Sequence, residues 1–452
     1  MVVIIADISR YLLVLFMVSY VFLSFTSFVG SSEAKKLAIY RSQRVVTVMM
    51  FVLCATVLMV TKPTVKLGFV LALVLAFYIA FIILYQKIYQ GLSKLILNNM
   101  MLCLMIGFVM QIRLGLDSAI KQILMATLAM TVCLFVPFLI ERFTVWERLA
   151  IPYAVAGLLL LALVFLVGVE RYGAKNWIAI GGFQLQPSEF VKIIYVFFIA
   201  AMLAKRQDFK WNVMVAILAA AHIGVLVMEK DLGGALIFFF TFLMMLYIAT
   251  GQWWYILAGF GAGAAAAVVA YKLFSHVQVR VMAWSDPWAH INDAGYQICR
   301  SLFAIGTGGI MGMGLGQGLP ESVPVVESDF IFSAIAEELG VAFAICLILV
   351  YISSFIMFVN IAMKLKKPFY KLCAFGLGVV LVFQVFICIG GATKFIPSTG
   401  VTLPLISYGG SSIIATILMF AIIQGLYVLD SKIHTKAPAR PEGNGRVRMK
   451  EM

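Results

Sequence analysis

The strongest constraint on this chain is a series of apolar segments, each long enough to cross a lipid bilayer as a helix of roughly 20 residues. Thirteen such segments lie at roughly 11–30, 45–61, 67–86, 95–112, 122–140, 149–169, 189–204, 212–228, 232–250, 254–274, 329–350, 372–391 and 409–429. Only 12% of the residues are charged, about half the share of a soluble domain. The sequence predicts an all-α polytopic membrane protein, and we expect its first span to be retained rather than removed as a signal peptide.

The basic residues are distributed unevenly between the two sets of alternating loops. Of the 34 lysines and arginines, 21 fall in one set, at 31–44, 87–94, 141–148, 205–211, 360–371 and 430–452. The positive-inside rule makes these segments cytoplasmic. The C-terminus is then inside and the N-terminus outside, and two long polar loops, 170–188 and 275–328, face the extracytoplasmic side. The formal net charge of +14 is thereby explained by membrane topology, and nucleic acid is not expected as a partner.

Cysteine and histidine give no sign of a disulfide framework or a metal site. Six of the seven cysteines lie inside apolar runs, Cys299 being the exception, and the four histidines are scattered. Neither residue type shows a metal-ligand spacing. We expect no dedicated metal site and no certain cofactor, although a divalent cation such as Mg²⁺ or Mn²⁺ could assist the chemistry.

The outer loop 275–328 contains a glycine-rich segment, 306–318, with seven glycines in thirteen residues. No Gly-Lys-Ser/Thr follows it, so it is not a phosphate-binding P-loop. Such glycine density lets backbone approach either a ligand or another backbone segment. A close-packed re-entrant loop and a ligand-binding loop therefore both remain open.

Asp329 lies where this outer loop meets an apolar helix, and Glu337 and Glu338 follow about two helical turns later. A carboxylate at a membrane boundary is partly desolvated, which raises its pKa and makes it a better proton acceptor. The alternative is that Asp329 caps the helix N-terminus, a position that aspartate favours. For the two glutamates we favour polar contacts between helices.

Further polar residues are expected at the same face, where they would suit a substrate with a lipid tail, a phosphate and a sugar. Arginine and lysine would neutralise the phosphate. The candidate substrate-binding residues are Lys175, Trp177, Glu189, Lys192, Asp231, Arg280, Gln297, Arg300, Ser301, Lys394, Ser411 and Ser412.

Five segments together resemble the SEDS family of FtsW, RodA and SpoVE. They are GAKNWIAIGGFQLQPSEFVK at 173–192, DLGGAL at 231–236, GYQICRSLFAIGTGGIMGMGLGQG at 295–318, DFIFSAIAEELG at 329–340 and IPSTGVTLPLISYGGSS at 396–412. The resemblance covers roughly residues 95–430. It implies ten transmembrane helices, polymerisation of lipid II into peptidoglycan strands, a class B penicillin-binding protein as partner and a catalytic role for Asp329.

The resemblance also suggests a division of the chain. We expect an extension at 1–94 with about three additional transmembrane helices, a ten-helix core at 95–430 and a basic cytoplasmic tail at 431–452. Two positions depart from the family pattern. Glu229 and Lys230 replace the more usual Gln-Pro before Asp231, and Glu327 adds a negative charge near Asp329, which would raise its pKa further.

We expect Asp329 to act as general base on the 4-hydroxyl of the acceptor sugar in an inverting transfer, with polyprenyl diphosphate leaving. A flippase for the lipid-linked precursor is the main alternative, since many spans and membrane carboxylates suit a transporter. The motifs, however, gather at one face rather than at the midplane, and we find no internal repeat. A non-catalytic division scaffold is a third possibility, in which Asp329 would be dispensable.

Overall fold

The protein is described by a computed structural model that covers residues 2–29, 32–143, 145–171, 174–180 and 183–436. Within these ranges, thirteen helical segments are long and apolar enough to cross a membrane. The predicted fold class, an all-α polytopic membrane protein, is confirmed.

The first half of the chain begins with three helices of the predicted extension, α1 (Val2–Thr26), α2 (Glu33–Thr61) and α3 (Val65–Ile88). The core then starts with α4 (Lys94–Leu114), α5 (Leu116–Cys133), α6 (Val136–Arg142) and α7 (Ala150–Val167). α5 and α6 together form one predicted span, interrupted at Leu134 and Phe135.

The second half continues with α8 (Pro187–Lys205), α9 (Phe209–Met228), α10 (Leu232–Thr250) and α11 (Trp254–Leu273). Three shorter helices follow, α12 (Ser275–Ser285), α13 (Tyr296–Gly308) and α14 (Ile331–Leu339). The last are α15 (Val341–Lys364), α16 (Pro368–Ala392) and α17 (Gly410–Lys436). α17 is helical to Lys436, and its membrane-spanning part ends at Ser431. The start of the basic tail at 431 remains a prediction, and residues 437–452 lie outside the described part.

Helices that are apolar on all sides belong in the middle of such a bundle. α4 is buried over its whole apolar window, and α8, α16 and α17 are buried over most of theirs. α11 lies at the periphery and has no buried residue. The centre of the molecule is thus made from segments that flank the predicted motifs.

The loops gather at two opposite ends of the bundle. At the motif end, Trp284 Nε1 donates to the Lys394 carbonyl at 3.1 Å, and the Tyr408 amide donates to the Glu327 carbonyl at 2.7 Å. At the basic end, Lys367 pairs with Glu147 at 3.6 Å. Each of these contacts joins loops that the charge pattern assigns to the same side, and we refer below to the motif end and the basic end.

The loop between α7 and α8 contains a small antiparallel sheet that the all-α prediction did not include. Its strands are β1 (Val169–Arg171), β2 (Ala174–Ile180) and β3 (Phe183–Leu185), in the order β1-β2-β3. Ile178 pairs with Leu185 across the second hairpin. Two glycines in sequence, Gly181 and Gly182, separate these short apolar runs and are a hairpin signal.

The predicted single span at 329–350 is wrong, because the chain breaks at Gly340 between α14 and α15. Gly340 has φ +93°, which no right-handed helix continues. The glycine-rich segment packs into this break: the amides of Val341 and Ala342 donate to the carbonyls of Gly309 and Ile310 at 3.0 and 3.1 Å. The glycine-rich segment thus makes the close contact with another backbone segment that the interpretation as a close-packed re-entrant loop requires.

A buried ion pair anchors the same segment. Arg113, at the end of α4, lies 2.9 Å from Glu338 and 2.6 Å from Glu321. Burial raises the pKa of Glu338 to about 7, and the Arg113 charge opposes this rise. Glu338 makes the expected contact between helices, whereas Glu337 accepts from the Leu319 amide at 3.1 Å.

The extension is attached to the core by buried hydrogen bonds. Tyr20 of α1 donates to Asn99 of α4 at 3.0 Å, and Asn99 donates to Ser353 and Ser354 of α15 at 2.8 and 3.0 Å. Hydrogen bonds between helices in a membrane contribute about 0.6–2 kcal/mol each. At the motif end, Arg10 donates to the Gly312 carbonyl at 3.0 Å. The extension thus contacts both the core helices and the glycine-rich segment, while the division at residue 94 remains a prediction.

Replacing Gly312 with alanine should destabilise the protein by about 1–3 kcal/mol, because its φ of +80° is strained for other residues and a Cβ would lie 2.4 Å from the Glu338 carbonyl oxygen. Gly306→Ala is the matched control. This helical glycine has nothing within 4 Å of a Cβ, so alanine should stabilise by up to about 1 kcal/mol. Thermal unfolding of the purified variants in detergent measures both changes in stability. Equal changes in the two variants would contradict the close packing of Gly312 against Glu338.

Candidate active site

Asp329 lies two residues before α14 with its side chain half-buried. Its Oδ1 accepts from the Ser328 hydroxyl at 2.9 Å. The residue that immediately precedes α14 is Phe330, and no side chain caps this helix. The N-cap interpretation of Asp329 is therefore wrong. Its carboxylate is not needed to satisfy the helix start and is available for another role.

The loop between α16 and α17 holds the segment that carries Asp329. The Ser407 hydroxyl donates to the Ser328 carbonyl, and the Tyr408 amide donates to the Glu327 carbonyl. A Cβ placed on Gly400 would lie 3.3 Å from Asp329 Oδ2. The absence of a side chain at Gly400 thus leaves space next to the second carboxylate oxygen.

Arg280 of α12 lies close enough to Asp329 and Asp231 to interact electrostatically with both. Burial lowers the pKa of its guanidinium, and the two carboxylates oppose that effect. Its Nη1 is buried and has no hydrogen-bond partner within the described residues. Arg280 therefore interacts electrostatically with both aspartates, and its Nη1 is available to donate a hydrogen bond to an anion.

His276 and Lys230 are the other basic residues beside Arg280. His276 is one turn earlier on α12, and its pKa is lowered by burial and then by the nearby charges of Arg280 and Lys230. An imidazole in these surroundings favours its neutral form. The electrostatic character of this corner is therefore set by Arg280 and Lys230 rather than by a histidine cation.

Asp231 has a structural role that the sequence did not reveal. Its carboxylate accepts from the Gly234 amide at 2.8 Å, Ser188 at 3.2 Å, Gln186 at 3.3 Å and Asn176 at 3.4 Å. It caps α10 and holds β2 and the start of α8 in place. Its predicted contact with substrate is not needed to explain its position.

Glu229, two residues earlier, is buried, and neither carboxylate oxygen has a hydrogen-bond partner in the described ranges. Burial raises its pKa to about 8, and the negative charge of Asp231 adds to the rise. Glu229, which departs from the family pattern, thus places a carboxyl group that favours its neutral form near Asp231, whose carboxylate already accepts four hydrogen bonds.

Lys192 is held inside the bundle by two acceptors. Its Nζ lies 2.6 Å from Glu189 and 2.7 Å from Gln384 Oε1. Gln384 in turn donates to the Thr402 carbonyl at 3.1 Å, and the hydroxyls of Thr402 and Ser412 are 2.7 Å apart. The chain of contacts runs from α8 through α16 to the loop that contains Gly400.

A small polar cavity of ≈30 Å³ lies among these groups. Asp231, Lys192 and Thr402 line it, and so does Gly400, which neighbours Asp329. This volume accommodates one or two water molecules. The predicted residues Glu189, Lys192 and Asp231 therefore meet around one cavity, and Asp329 lies beside its lining residue Gly400 without lining the cavity itself.

The other predicted residues lie around this centre or away from it. Lys394 and Trp177 are half-buried, and Ser411 accepts from the Gln186 amide at 2.9 Å. Arg300 donates to the Ser322 carbonyl at 3.1 Å, and Gln297 is exposed. The side chain of Lys175 lies outside the described part of the structure.

Ser301 is a correction to the predicted site. It is fully buried, with its hydroxyl 2.5 Å from Ser333 and 2.7 Å from the Ala392 carbonyl. These contacts join α13 to α14 and α16. Because both hydrogen bonds are made within the protein, Ser301 serves packing rather than substrate binding.

Sequence reasoning missed Gln384 and Arg113, which organise the two sides of the motif end. Each is a polar residue within a helix that the apolar pattern marks as a span. Polar residues inside membrane-spanning segments usually have a structural or functional role. This signal could have identified both Gln384 and Arg113. Among the described residues no group of three or more His, Cys, Asp or Glu side chains could hold a metal ion.

The fold and the site define a polytopic membrane protein with a carboxylate and an arginine at one end of its helix bundle. The family model of the cell cycle proteins FtsW, RodA and SpoVE matches residues 93–431. The chain belongs to this family, as its motifs predict.

Comparison with individual proteins gives the same family. The peptidoglycan glycosyltransferase RodA of Mycobacterium tuberculosis (strain ATCC 25618 / H37Rv) is 41% identical over 287 residues, which cover 59% of this chain and 61% of RodA. The match thus spans about three fifths of that relative's length.

Two solved structures are also similar. A chain from a study of polymerization and crosslinking by a peptidoglycan synthase complex has a TM-score of 0.64 and 28% identity, over 74% of this chain and 97% of that one. The Thermus thermophilus rod shape determining protein RodA has a TM-score of 0.58 and 27% identity, over 74% and 96%.

Replacing Asp329 with asparagine should leave the protein at least as stable as the wild type at neutral pH. Burial raises the pKa of Asp329, so the ionised carboxylate is disfavoured in the folded state. This loss of folding stability is fully present at a pH above the pKa of the folded state, and it is absent at a pH below the pKa of the unfolded state. Thermal unfolding at acidic and neutral pH measures the effect. The gain should shrink at acidic pH.

Asp231→Asn is the matched control and should lose about 1–3 kcal/mol, because its carboxylate accepts hydrogen bonds from four partners and caps α10. If Asp329→Asn proved as destabilising as Asp231→Asn, the assignment of Asp329 to a non-structural role would be wrong.

Proposed function

We propose that this protein is a peptidoglycan glycosyltransferase that polymerises lipid II into glycan strands. Family membership supports this, as does the name of the similar RodA, a peptidoglycan glycosyltransferase. The observation that carries the proposal is the half-buried Asp329 carboxylate in the electrostatic field of Arg280, whose Nη1 has no partner in the described structure.

In the proposed reaction Asp329 acts as general base. Its carboxylate accepts the proton of the 4-hydroxyl of the acceptor sugar, and the resulting oxygen nucleophile attacks the anomeric carbon of the donor. The bond from that carbon to the diphosphate breaks, and the diphosphate leaves with the electron pair. Attack from the side opposite the leaving group inverts the anomeric centre, so no covalent enzyme intermediate is needed.

Arg280 is our candidate for holding the leaving diphosphate. Its buried Nη1 has no acceptor among the described residues, and guanidinium groups bind phosphate oxygens in bidentate fashion. Lys192 is less suited, because Glu189 and Gln384 already occupy its ammonium group. Lys394 and Arg300 remain candidates for more distant phosphate or sugar contacts.

The lipid tail needs an apolar surface near Asp329. A groove of ≈450 Å³ between α15 and α16 provides one, lined by residues that include Ile352, Val385 and Phe386. On the same α16, Cys388 Sγ lies 3.8 Å from the Asp329 carbonyl oxygen. We propose that the prenyl chain of a lipid-linked sugar occupies this groove while its head group reaches Asp329.

The membrane arrangement and the partner belong to the same proposal. The basic end would face the cytoplasm, as the loop charges favour, so the reaction would occur on the outer face of the membrane. The similar peptidoglycan synthase complex combines polymerization with crosslinking, which supports a class B penicillin-binding protein as partner. The glycan strands that it makes would serve cell division, elongation or sporulation.

Replacing Asp329 with alanine should lower glycan polymerisation about 10²–10⁴-fold, the usual contribution of a general base. The measurement is polymer formation from purified lipid II in detergent, where no membrane exists for a flippase to act across. Asp286→Asn is the matched control, because this aspartate belongs to the same outer loop and accepts from the Ala289 amide at an exposed site. It should keep most of the activity.

Full activity of Asp329→Ala would refute the proposed catalysis. Movement of lipid II in liposomes by the wild-type protein, with no polymer in either setting, would support the flippase instead.

A further inference from the structure

A second cavity lies at the basic end, far from Asp329. Its volume is ≈730 Å³, and it is formed by the end of α1, the start of α2, the turn between α3 and α4, and the last turns of α15 and α17. The extension thus forms one wall and the core the others. Nothing in the proposed glycosyl transfer uses this space.

The charged groups that line the cavity are mostly cationic. Lys36, Lys94 and Lys364 line it together with one acidic residue, Glu33. Glu33 pairs with Lys36 at 3.3 Å, whereas the side-chain ammonium groups of Lys94 and Lys364, both of which line the cavity, make no hydrogen bond or ion pair with another described residue. Two lysine charges are therefore available to an anion.

The floor of the cavity adds to this positive character. It includes Ser93 and Lys94, the N-cap and first residue of the 21-residue α4. A helix N-terminus carries a partial positive charge and favours anions. The hydroxyl-bearing Tyr40 and Tyr427 and the amide of Asn360 also line the cavity, so hydrogen-bond donors accompany the charges.

Apolar residues form part of the same wall. Leu37, Met357 and Ile361 line the cavity beside the lysines. Because it lies at the ends of membrane-spanning helices, its occupant sits where bilayer and water meet. A soluble anion would leave the apolar wall unused, whereas a phospholipid has both a phosphate and an acyl chain.

We propose that this cavity binds the head group of an anionic membrane phospholipid, at the junction of extension and core. The phosphate lies between Lys94 and Lys364, and the start of an acyl chain runs along Met357 and Ile361. The chain's own C-terminal segment, 437–452, is disfavoured as occupant because it is itself net basic. The lipid thereby bridges α2 and α15 and strengthens the attachment of the extension.

The test compares binding of phosphatidylglycerol and phosphatidylcholine to the purified full-length protein by native mass spectrometry. The wild type should retain phosphatidylglycerol selectively. The double variant Lys94→Gln/Lys364→Gln should bind it about 30-fold more weakly, since each lysine near an anionic lipid contributes about 1 kcal/mol and about 1.4 kcal/mol corresponds to a factor of ten. The control Lys366→Gln/Lys371→Gln removes the same charge from exposed positions of the same end and should change binding less than twofold.

A second variant fills the cavity without changing its charge. Ala34 lines it and is exposed, so Ala34→Trp should also reduce retention of phosphatidylglycerol. Equal losses of phosphatidylglycerol binding in the Lys94/Lys364 and Lys366/Lys371 double variants would overturn the proposal, because they would show a general effect of surface charge. Binding of soluble glycerol 3-phosphate as tightly as the lipid would overturn it in favour of a free phosphate ligand.

Discussion

An ionised carboxylate at the end of an apolar helix bundle needs a nearby cation, since burial alone favours its neutral form. In this protein Asp329 and Arg280 supply the two charges, and neither lies on a membrane-spanning helix. Their positions depend on other elements. Asp231 caps α10 beside them, and the loop between α16 and α17 fixes the backbone that precedes Asp329 through Ser407 and Tyr408. The site is thus assembled from loops that a rigid bundle holds together.

The other side of the motif end is stabilised by a different set of contacts. Glycine-rich backbone fills the break between α14 and α15, and Arg113 ties this segment to α4. The extension contributes as well, through Arg10 at the motif end and, deeper in the bundle, through the hydrogen bond from Tyr20 to Asn99 of the core. Because buried polar groups must find partners, these few hydrogen bonds determine how the additional helices can pack on the core.

The sequence predicts most of the spans well, because apolar length is a property of a single segment. It fails where one segment depends on another. Gly340 ends α14 where the glycine-rich segment packs into the break, and Ser301 looks like a substrate contact until Ser333 and Ala392 are seen to satisfy its hydroxyl. Asp231 is similar, since its role in holding β2 and the start of α8 becomes clear only when its donors from those two elements are known.

The central claim is that Asp329 works as an ionised base whose charge Arg280 stabilises. The most direct measurement is the pH dependence of glycan polymerisation for Arg280→Gln beside the charge-retaining Arg280→Lys. Arg280 lowers the pKa of Asp329, so its loss raises that pKa, and the acidic limb of the profile should move to higher pH in the glutamine variant alone. An acidic limb that stays in place when this cation is removed would contradict the account.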